Sequence, residues 1–209
     1  MNDTFPLEDF DEWAPTYDQN VRLQGFPFAG YEHTLDEIVK EAEPKAGMKI
    51  LDLGAGTGNL TGRFLTAGCS VTGVDYSGNM IEIAKAKYPA ATYLQADLRS
   101  NPESFLPEQK FDRVVSAYTF HHFTLTEKYQ LLKKLVPFLA SSSYFVIGDV
   151  AFQDDAALQV VSENAGDEWE DEEYWLADHS IEYLAQKQMQ VSFVQTSNCA
   201  GVFKIMVFD

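Results

Sequence analysis

The stretch Ile50-Leu51-Asp52-Leu53-Gly54-Ala55-Gly56-Thr57-Gly58 constrains the fold more than any other part of the chain. An apolar, strand-like run ends in glycines at alternate positions, and Leu60, Phe64 and Leu65 follow at helical spacing. Glycine at 54, 56 and 58 lets the backbone bend sharply and lets a ligand lie against it with no β-carbon in the way. The helix that follows offers unsatisfied N–H groups at its start. A strand turning directly into a helix is the opening unit of an open α/β sheet, whose ligands lie at the carboxyl edge where the strand order reverses.

The rest of the chain repeats that rhythm. Residues 69–75, 91–94, 111–117 and 144–150 read as further strands, with Val114-Val115 at the centre of one of them. Gly68 is placed to end the first helix, and Ser77 to cap the helix carrying Met80, Ile81 and Ala84. Thr124 and Glu127 have the spacing of a capping box ahead of Leu131, Leu132 and Leu135, and Pro137 should kink or end that helix. Residues 190–195 and 202–208 alternate as two strands joined by a short turn, which forces an antiparallel hairpin. The predicted fold is α/β. It is a Rossmann-like three-layer sandwich around a seven-stranded, mostly parallel sheet with a C-terminal antiparallel β-hairpin. Residues 1–45 form a helical cap and residues 151–188 an inserted segment. Neither is long enough to bury a core of its own, so 1–209 reads as one domain.

Composition narrows the function. The 209 residues are 45% hydrophobic, which suits a globular chain, and the net charge is −17. That field repels phosphate backbones, so nucleic acid is disfavoured as a partner. No apolar run approaches the ~18 residues a membrane span needs, and the acidic N-terminus does not resemble a secretory signal. Cys69 and Cys199 are far apart without metal-ligand spacing, which fits two small hydrophobes buried in strands of a reduced, cytoplasmic protein.

Two acids give the loop its meaning. Asp75 ends the second strand, where a carboxylate can accept from both hydroxyls of a ribose. Asp97, in Gln95-Ala96-Asp97-Leu98 after the third strand, can accept from the exocyclic amine of adenine, with Tyr76 and Met80 to pack on its faces. A dinucleotide would need Gly-x-Gly-x-x-Gly. Here the third glycine is one residue early and Asn59 stands where the fingerprint needs it. Asp52 just before the turn suits a ligand bearing an α-amino group, as the methionine end of S-adenosyl-L-methionine does.

These residues resemble motif I, motif II and the adenine-site acid of the class I S-adenosylmethionine-dependent methyltransferases, and more closely the YrrT-type bacterial methyltransferases. The resemblance runs through Phe10-Asp11-Glu12-Trp13-Ala14 with Tyr17-Asp18-Gln19, Gly56 to Gly62, and Ser116-Ala117-Tyr118-Thr119-Phe120-His121-His122-Phe123. It implies a single class I methyltransferase domain and a link to sulfur-amino-acid metabolism. The expected cofactor contacts are Tyr17, Asp52, Gly54, Ala55, Gly56, Asp75, Tyr76, Met80, Ala96, Asp97, Leu98 and Ser116, with S-adenosyl-L-homocysteine as product. Tyr17 is expected to close over the methionine end. The pattern departs at Pro137 and Ser141-Ser142-Ser143, where a glycine turn usually precedes strand five.

Methyl transfer from a sulfonium is an in-line displacement that mainly needs alignment and exclusion of water. A base is needed only for an acceptor with a tightly held proton. The candidates are His121 and Tyr118, with His122 beside them, at the end of strand four. The alternative reading, and the more ordinary one, is that they pack under the cofactor and cap the next helix. No metal is expected, because adjacent histidine side chains diverge and no third ligand stands beside them. Asp-Pro-Pro-Tyr, the mark of base amino-group methylation in nucleic acids, is absent. Asp167 to Glu173 holds six acids in seven positions, and no lysine or arginine occurs from Leu135 to Gln186. The run reads as a solvated helix face or as a lid favouring a cationic or neutral acceptor. Trp169, Tyr174 and Trp175 fit either wall or core, as do Phe10 and Trp13. A small-molecule methyl acceptor is the leading expectation. A protein acceptor, a non-catalytic S-adenosylmethionine binder and an NAD-dependent dehydrogenase are the alternatives.

Overall fold

A computed structural model of the chain describes residues 7–23 and 25–207. The helices are α1 (Leu7–Trp13), α2 (Tyr17–Asn20), α3 (Tyr31–Ala42), α4 (Asn59–Thr66), α5 (Gly78–Lys87), α6 (Leu125–Leu135), α7 (Asp155–Ala165) and α8 (Ala177–Ala185). The strands are β1 (Lys49–Leu53), β2 (Ser70–Asp75), β3 (Thr92–Gln95), β4 (Phe111–Ala117), β5 (Leu139–Phe152), β6 (Trp175–Leu176), β7 (Met189–Gln195) and β8 (Ala200–Val207).

The sheet runs β3-β2-β1-β4-β5-β8-β7, with the short β6 beside the end of β5. β8 pairs antiparallel with both β5 and β7, and the other pairings are parallel. The chain therefore winds outward from β1 to β3 and returns to lay β4 on the other side of β1. That reversal opens a crevice at the carboxyl ends of β1 and β4. Successive β1 residues face opposite layers: Leu51 and Leu53 pack with Leu131 and Leu132 of α6, and Ile50 with Leu35 and Ile38 of α3 and Phe64 of α4. Both faces are covered, as near-continuous apolar strands require.

The expected helix signals operate. Ser77 Oγ accepts from Met80 N–H, and Thr124 and Glu127 make a reciprocal capping box. Pro137 sits in a 3-10 turn just after α6. Ser142 adopts φ 62°, taking the left-handed conformation that the missing glycine would have supplied.

Some expectations need correction. β5 is twice as long as its apolar centre suggests, because Leu139 already pairs with Phe111 and the polar residues before Tyr144 bridge an irregularity in the register with β4. Cys69 and Cys199 are buried but lie in the turns before β2 and β8, not in strands. The acidic run is not a helix face. After a short turn at Gly166–Glu168 it is an extended strap leading into β6. Trp175, fully buried, anchors the strap's end between Phe120 and Phe203. Among the described residues no helix is long and apolar enough to cross a membrane.

Candidate active site

The glycine loop is built by sterics and hydrogen bonds together. Gly54, Gly56 and Gly58 have φ of 67°, 52° and 87°, a region closed to most side chains. A β-carbon at Gly54 would come within 2.0 Å of Thr119 Oγ1, whereas one at Gly56 would meet nothing within 4 Å. Gly54 is thus required by packing against the β4 end, and Gly56 by the turn that opens onto space.

Asp75 lies across that turn. Its Oδ2 accepts from Gly56 N–H at 2.7 Å and its Oδ1 from Ser77 N–H at 2.9 Å. Burial pushes the carboxyl above its ordinary range, while the N–H groups of Ser77, Gly56 and Tyr76 pull the other way. Each oxygen keeps lone pairs for a ligand.

A cavity of about 780 Å³ begins here and runs along the carboxyl edge of the sheet. That is near the upper end of the ~300–1,000 Å³ found for small-molecule sites, roomy enough for two reactants. Of the expected cofactor residues, Tyr17, Gly54, Gly56, Asp75, Tyr76, Met80, Asp97 and Leu98 line it. Asp52, Ala55, Ala96 and Ser116 stand behind the wall. Asp52 is buried and accepts from Thr61 Oγ1 at 2.6 Å, and burial raises its pKa to about 7. Ala55 packs where Gly73 leaves room, Ala96 N–H bonds Asp75 O, and Ser116 Oγ ties β4 to Leu53 O.

The helical cap closes one side. Tyr17 sits among Trp13, Phe28 and Tyr31, and burial, then Tyr31, pushes its hydroxyl pKa well up. Asp18, beside Tyr17 in the Tyr-Asp pair, is a functional residue that sequence reasoning does not single out. It accepts from Thr57 Oγ1 (2.6 Å), Asn59 Nδ2 (3.0 Å) and Lys87 Nζ (2.7 Å), and so ties the cap to the glycine loop. The asparagine that broke the dinucleotide pattern serves that link.

The far end of the cavity is built on the turn after β4. Tyr118 takes φ 51°, its ring lines the cavity, and its hydroxyl turns away to Thr34 Oγ1 at 3.3 Å. Burial raises its pKa far above neutrality, so this hydroxyl holds its proton. His121 is different. Its Nδ1 lies 2.5 Å from Oδ1 of the fully buried Asp149. Asp149 also accepts from the N–H groups of Phe120, His121 and Val150. A carboxylate only accepts, so Nδ1 carries the proton and Nε2 presents a lone pair when the ring is neutral. Burial alone would lower the His121 pKa, but the charge and hydrogen bond of Asp149, with Glu172 beyond, bring it above the ordinary value. His122 is driven down to about 2 by burial and by the neighbouring His121, Arg99 and Lys128 charges.

The acidic strap passes over these histidines. Glu173 N–H donates to His121 O at 3.0 Å, and the buried Lys128 Nζ donates to Glu173 O. Glu172 is thereby held with its carboxylate 3.5 Å from His121 Nε2 and 3.6 Å from His122 Nδ1. Burial lifts its pKa to about 7, and His121 partly offsets this. The two imidazoles do not diverge: their centres are 4.1 Å apart, and Glu172 arrives beside them from the strap. Asp149 and Glu172 were both missed. An acid inside the apolar run Phe145-Val146-Ile147-Gly148-Asp149-Val150 was the available signal for the first. Nothing distinguished Glu172 among six acids.

Comparison with known proteins agrees with this architecture. Residues 50–142 match the family model described as a methyltransferase domain. The Bacillus subtilis protein described as uncharacterized methyltransferase YrrT is 33% identical over 210 residues, covering 93% of this chain and 94% of its own length. A counterpart from Oceanobacillus iheyensis is 37% identical over 153 residues, covering 73% and 70%. Among solved structures, DhpI in complex with S-adenosylhomocysteine superposes with a TM-score of 0.73 at 16% identity, covering 96% of this chain and 94% of that one. Magnesium protoporphyrin IX methyltransferase from Synechocystis PCC 6803, with the same product bound, gives 0.73 at 17%, covering 96% and 99%. The chain belongs to the YrrT-like family of Rossmann-fold, S-adenosylmethionine-dependent methyltransferases.

Proposed function

We propose that the cavity binds S-adenosyl-L-methionine in its loop half and passes the methyl group to a small-molecule acceptor in its histidine half. The carrying observation is Asp75, fixed on both oxygens by the glycine loop and the start of α5 while facing the cavity. Its remaining lone pairs suit the two ribose hydroxyls. Asp97 and Leu98, which line the same cavity as Tyr76 and Met80, suit adenine, and Tyr17 covers the methionine end. Asp52, Ala55, Ala96 and Ser116 act through the backbone they hold.

In this reading the acceptor's lone pair attacks the methyl carbon as the carbon–sulfur bond breaks, and sulfur leaves as the neutral thioether of S-adenosyl-L-homocysteine. Where the acceptor carries a proton, His121 Nε2 takes it and Asp149 stabilises the imidazolium formed. Tyr118 serves as wall, since its hydroxyl is engaged elsewhere. Carboxylates of the strap and the rings of Phe10, Trp13 and Phe26 favour a cationic or neutral acceptor over an anion. Thiols and amines of sulfur-amino-acid metabolism are the compounds to screen first. The cap and the strap both serve this one site, so the whole chain acts as a single domain.

Thermal shift with S-adenosyl-L-homocysteine against NADH tests the cofactor, and stabilisation by NADH alone refutes it. Asp75→Ala should weaken S-adenosyl-L-homocysteine binding on the order of 100-fold by calorimetry, the worth of charge-assisted hydrogen bonds. Unchanged affinity refutes the ribose assignment. Incubation of a cell extract with methyl-labelled cofactor should place label on small molecules. Label on polypeptide instead refutes the acceptor class.

A further inference from the structure

We propose that His121, His122 and Glu172 form a binding site for a divalent transition ion such as zinc. Nothing in the methyl-transfer reading requires this, and it does not rest on that reading. The three side chains come from two places that sequence separates widely, the 3-10 turn Phe120–His122 and the strap, and each offers a donor atom within 4.8 Å of the others. Tetrahedral coordination with bonds of about 2.0–2.2 Å sets donors roughly 3.3–3.6 Å apart. Glu172 Oε2 stands 3.5 Å from His121 Nε2 and its Oε1 3.6 Å from His122 Nδ1, so the carboxylate already faces both imidazoles. A small closure of the two imidazoles completes the set.

Three further features favour an ion over a chance cluster. First, His121 Nδ1 is held at 2.5 Å by the buried Asp149. That is the carboxylate–histidine pairing which orients a metal-binding imidazole and makes its other nitrogen a better donor. Second, Glu172 is not a wandering surface acid, because the Glu173 N–H bond to His121 O fixes the strap beside the turn. Third, all three donors line the cavity, so the ion's open side faces the acceptor. Two imidazoles and one carboxylate select zinc, cobalt or nickel over magnesium or calcium, which prefer all-oxygen shells.

An ion and a proton on His121 Nε2 exclude one another. The loaded protein would therefore polarise the acceptor through the metal and could not use His121 to take a proton.

The test uses untagged full-length protein stripped by chelator dialysis. It is titrated with Co²⁺, followed by visible absorption, and with Zn²⁺ by calorimetry, each with and without S-adenosyl-L-homocysteine. One equivalent should bind. Glu172→Gln and His122→Ala should each weaken it tenfold or more, while His179→Ala, at an exposed site, should not. Melting temperatures of the variants report whether the fold is intact. Absence of saturable binding at one equivalent overturns the proposal, as does equal affinity in folded Glu172→Gln and His122→Ala proteins. Binding of Co²⁺ without any effect of S-adenosyl-L-homocysteine on stability would support the metal site and count against the cofactor reading alone.

Discussion

His121 depends first on the fully buried Asp149, with Glu172 as a second acid beyond it. The His121 pKa lies above the ordinary value, against the opposing pull of burial. Only the neutral ring accepts a proton, so transfer to a proton-bearing acceptor should rise with pH through that raised pKa and level off above it. Asp149→Asn removes the charge, lowers the His121 pKa and loses the preference for a proton on Nδ1. The rise should shift to lower pH while the plateau falls by roughly 10²–10⁴-fold, the usual worth of a positioned base. His121→Ala should show the same plateau loss with cofactor affinity nearly unchanged. An unaltered pH profile in Asp149→Asn would return His121 to a packing role. The sequence placed His121 at the right edge of the sheet but could not supply Asp149, because the pairing spans adjacent strands and depends on register.

Asp52 carries a second residue-scale consequence, for stability. Its pKa is raised from the usual 3.8 to about 7 by burial, with Thr61 partly offsetting this. The unfolded chain releases this proton near pH 4 and the folded chain only near 7. The group therefore stabilises the fold fully below pH 4 relative to its ionised state, and that advantage is lost as pH rises to 7. The span corresponds to roughly 4 kcal/mol at most. Asp52→Asn should flatten the decline in unfolding free energy between pH 4 and 7, measured by urea denaturation. An equal decline in wild type and variant would assign it to other groups.

At the scale of elements, the strap is the part that sequence described least well. Six acids in seven residues carry no apolar periodicity, so the run fits a solvated helix or a loop equally. What fixes it is tertiary: Lys128 from α6, Trp175 in the core, and Phe26 stacked on Trp169 at a centroid distance of 5.0 Å. The strands and helices of the sheet were legible because each buries its own apolar pattern, and the strap buries almost none. Lys128 is buried, and burial lowers its pKa to about 8 against the pull of Asp149 and Glu173. Lys128→Met keeps the stem and deletes the ammonium. It should cost about 3–5 kcal/mol, since Asp149 and Glu172 lose a buried counter-charge. It should also speed hydrogen exchange at the Glu173 amide by tenfold or more. Exchange unchanged in the variant would show that the aromatic contacts alone hold the strap.

For the whole molecule, charge and topology act together. The net charge of −17 is read from sequence, but its focus is not. The fold gathers Asp9, Asp75, Asp97, Glu168, Glu170, Asp171, Glu172 and Glu173 around one cavity, against Arg99 and two histidines among the described lining residues. Low-dielectric walls concentrate such a field and steer cations inward. S-adenosyl-L-methionine carries a sulfonium and an ammonium against one carboxylate, for one net positive charge, whereas S-adenosyl-L-homocysteine is net neutral. Donor and product therefore feel this field differently while sharing nearly every contact. Raising ionic strength from about 0.01 M to about 1 M shortens the screening length from roughly 30 Å to roughly 3 Å. Association of S-adenosyl-L-methionine, followed by stopped-flow fluorescence, should slow about tenfold over that range. The rate for S-adenosyl-L-homocysteine should change less than twofold. Equal salt slopes for the two would mean that the acids around the cavity are screened from its interior, and that product release owes nothing to the charge lost in the reaction.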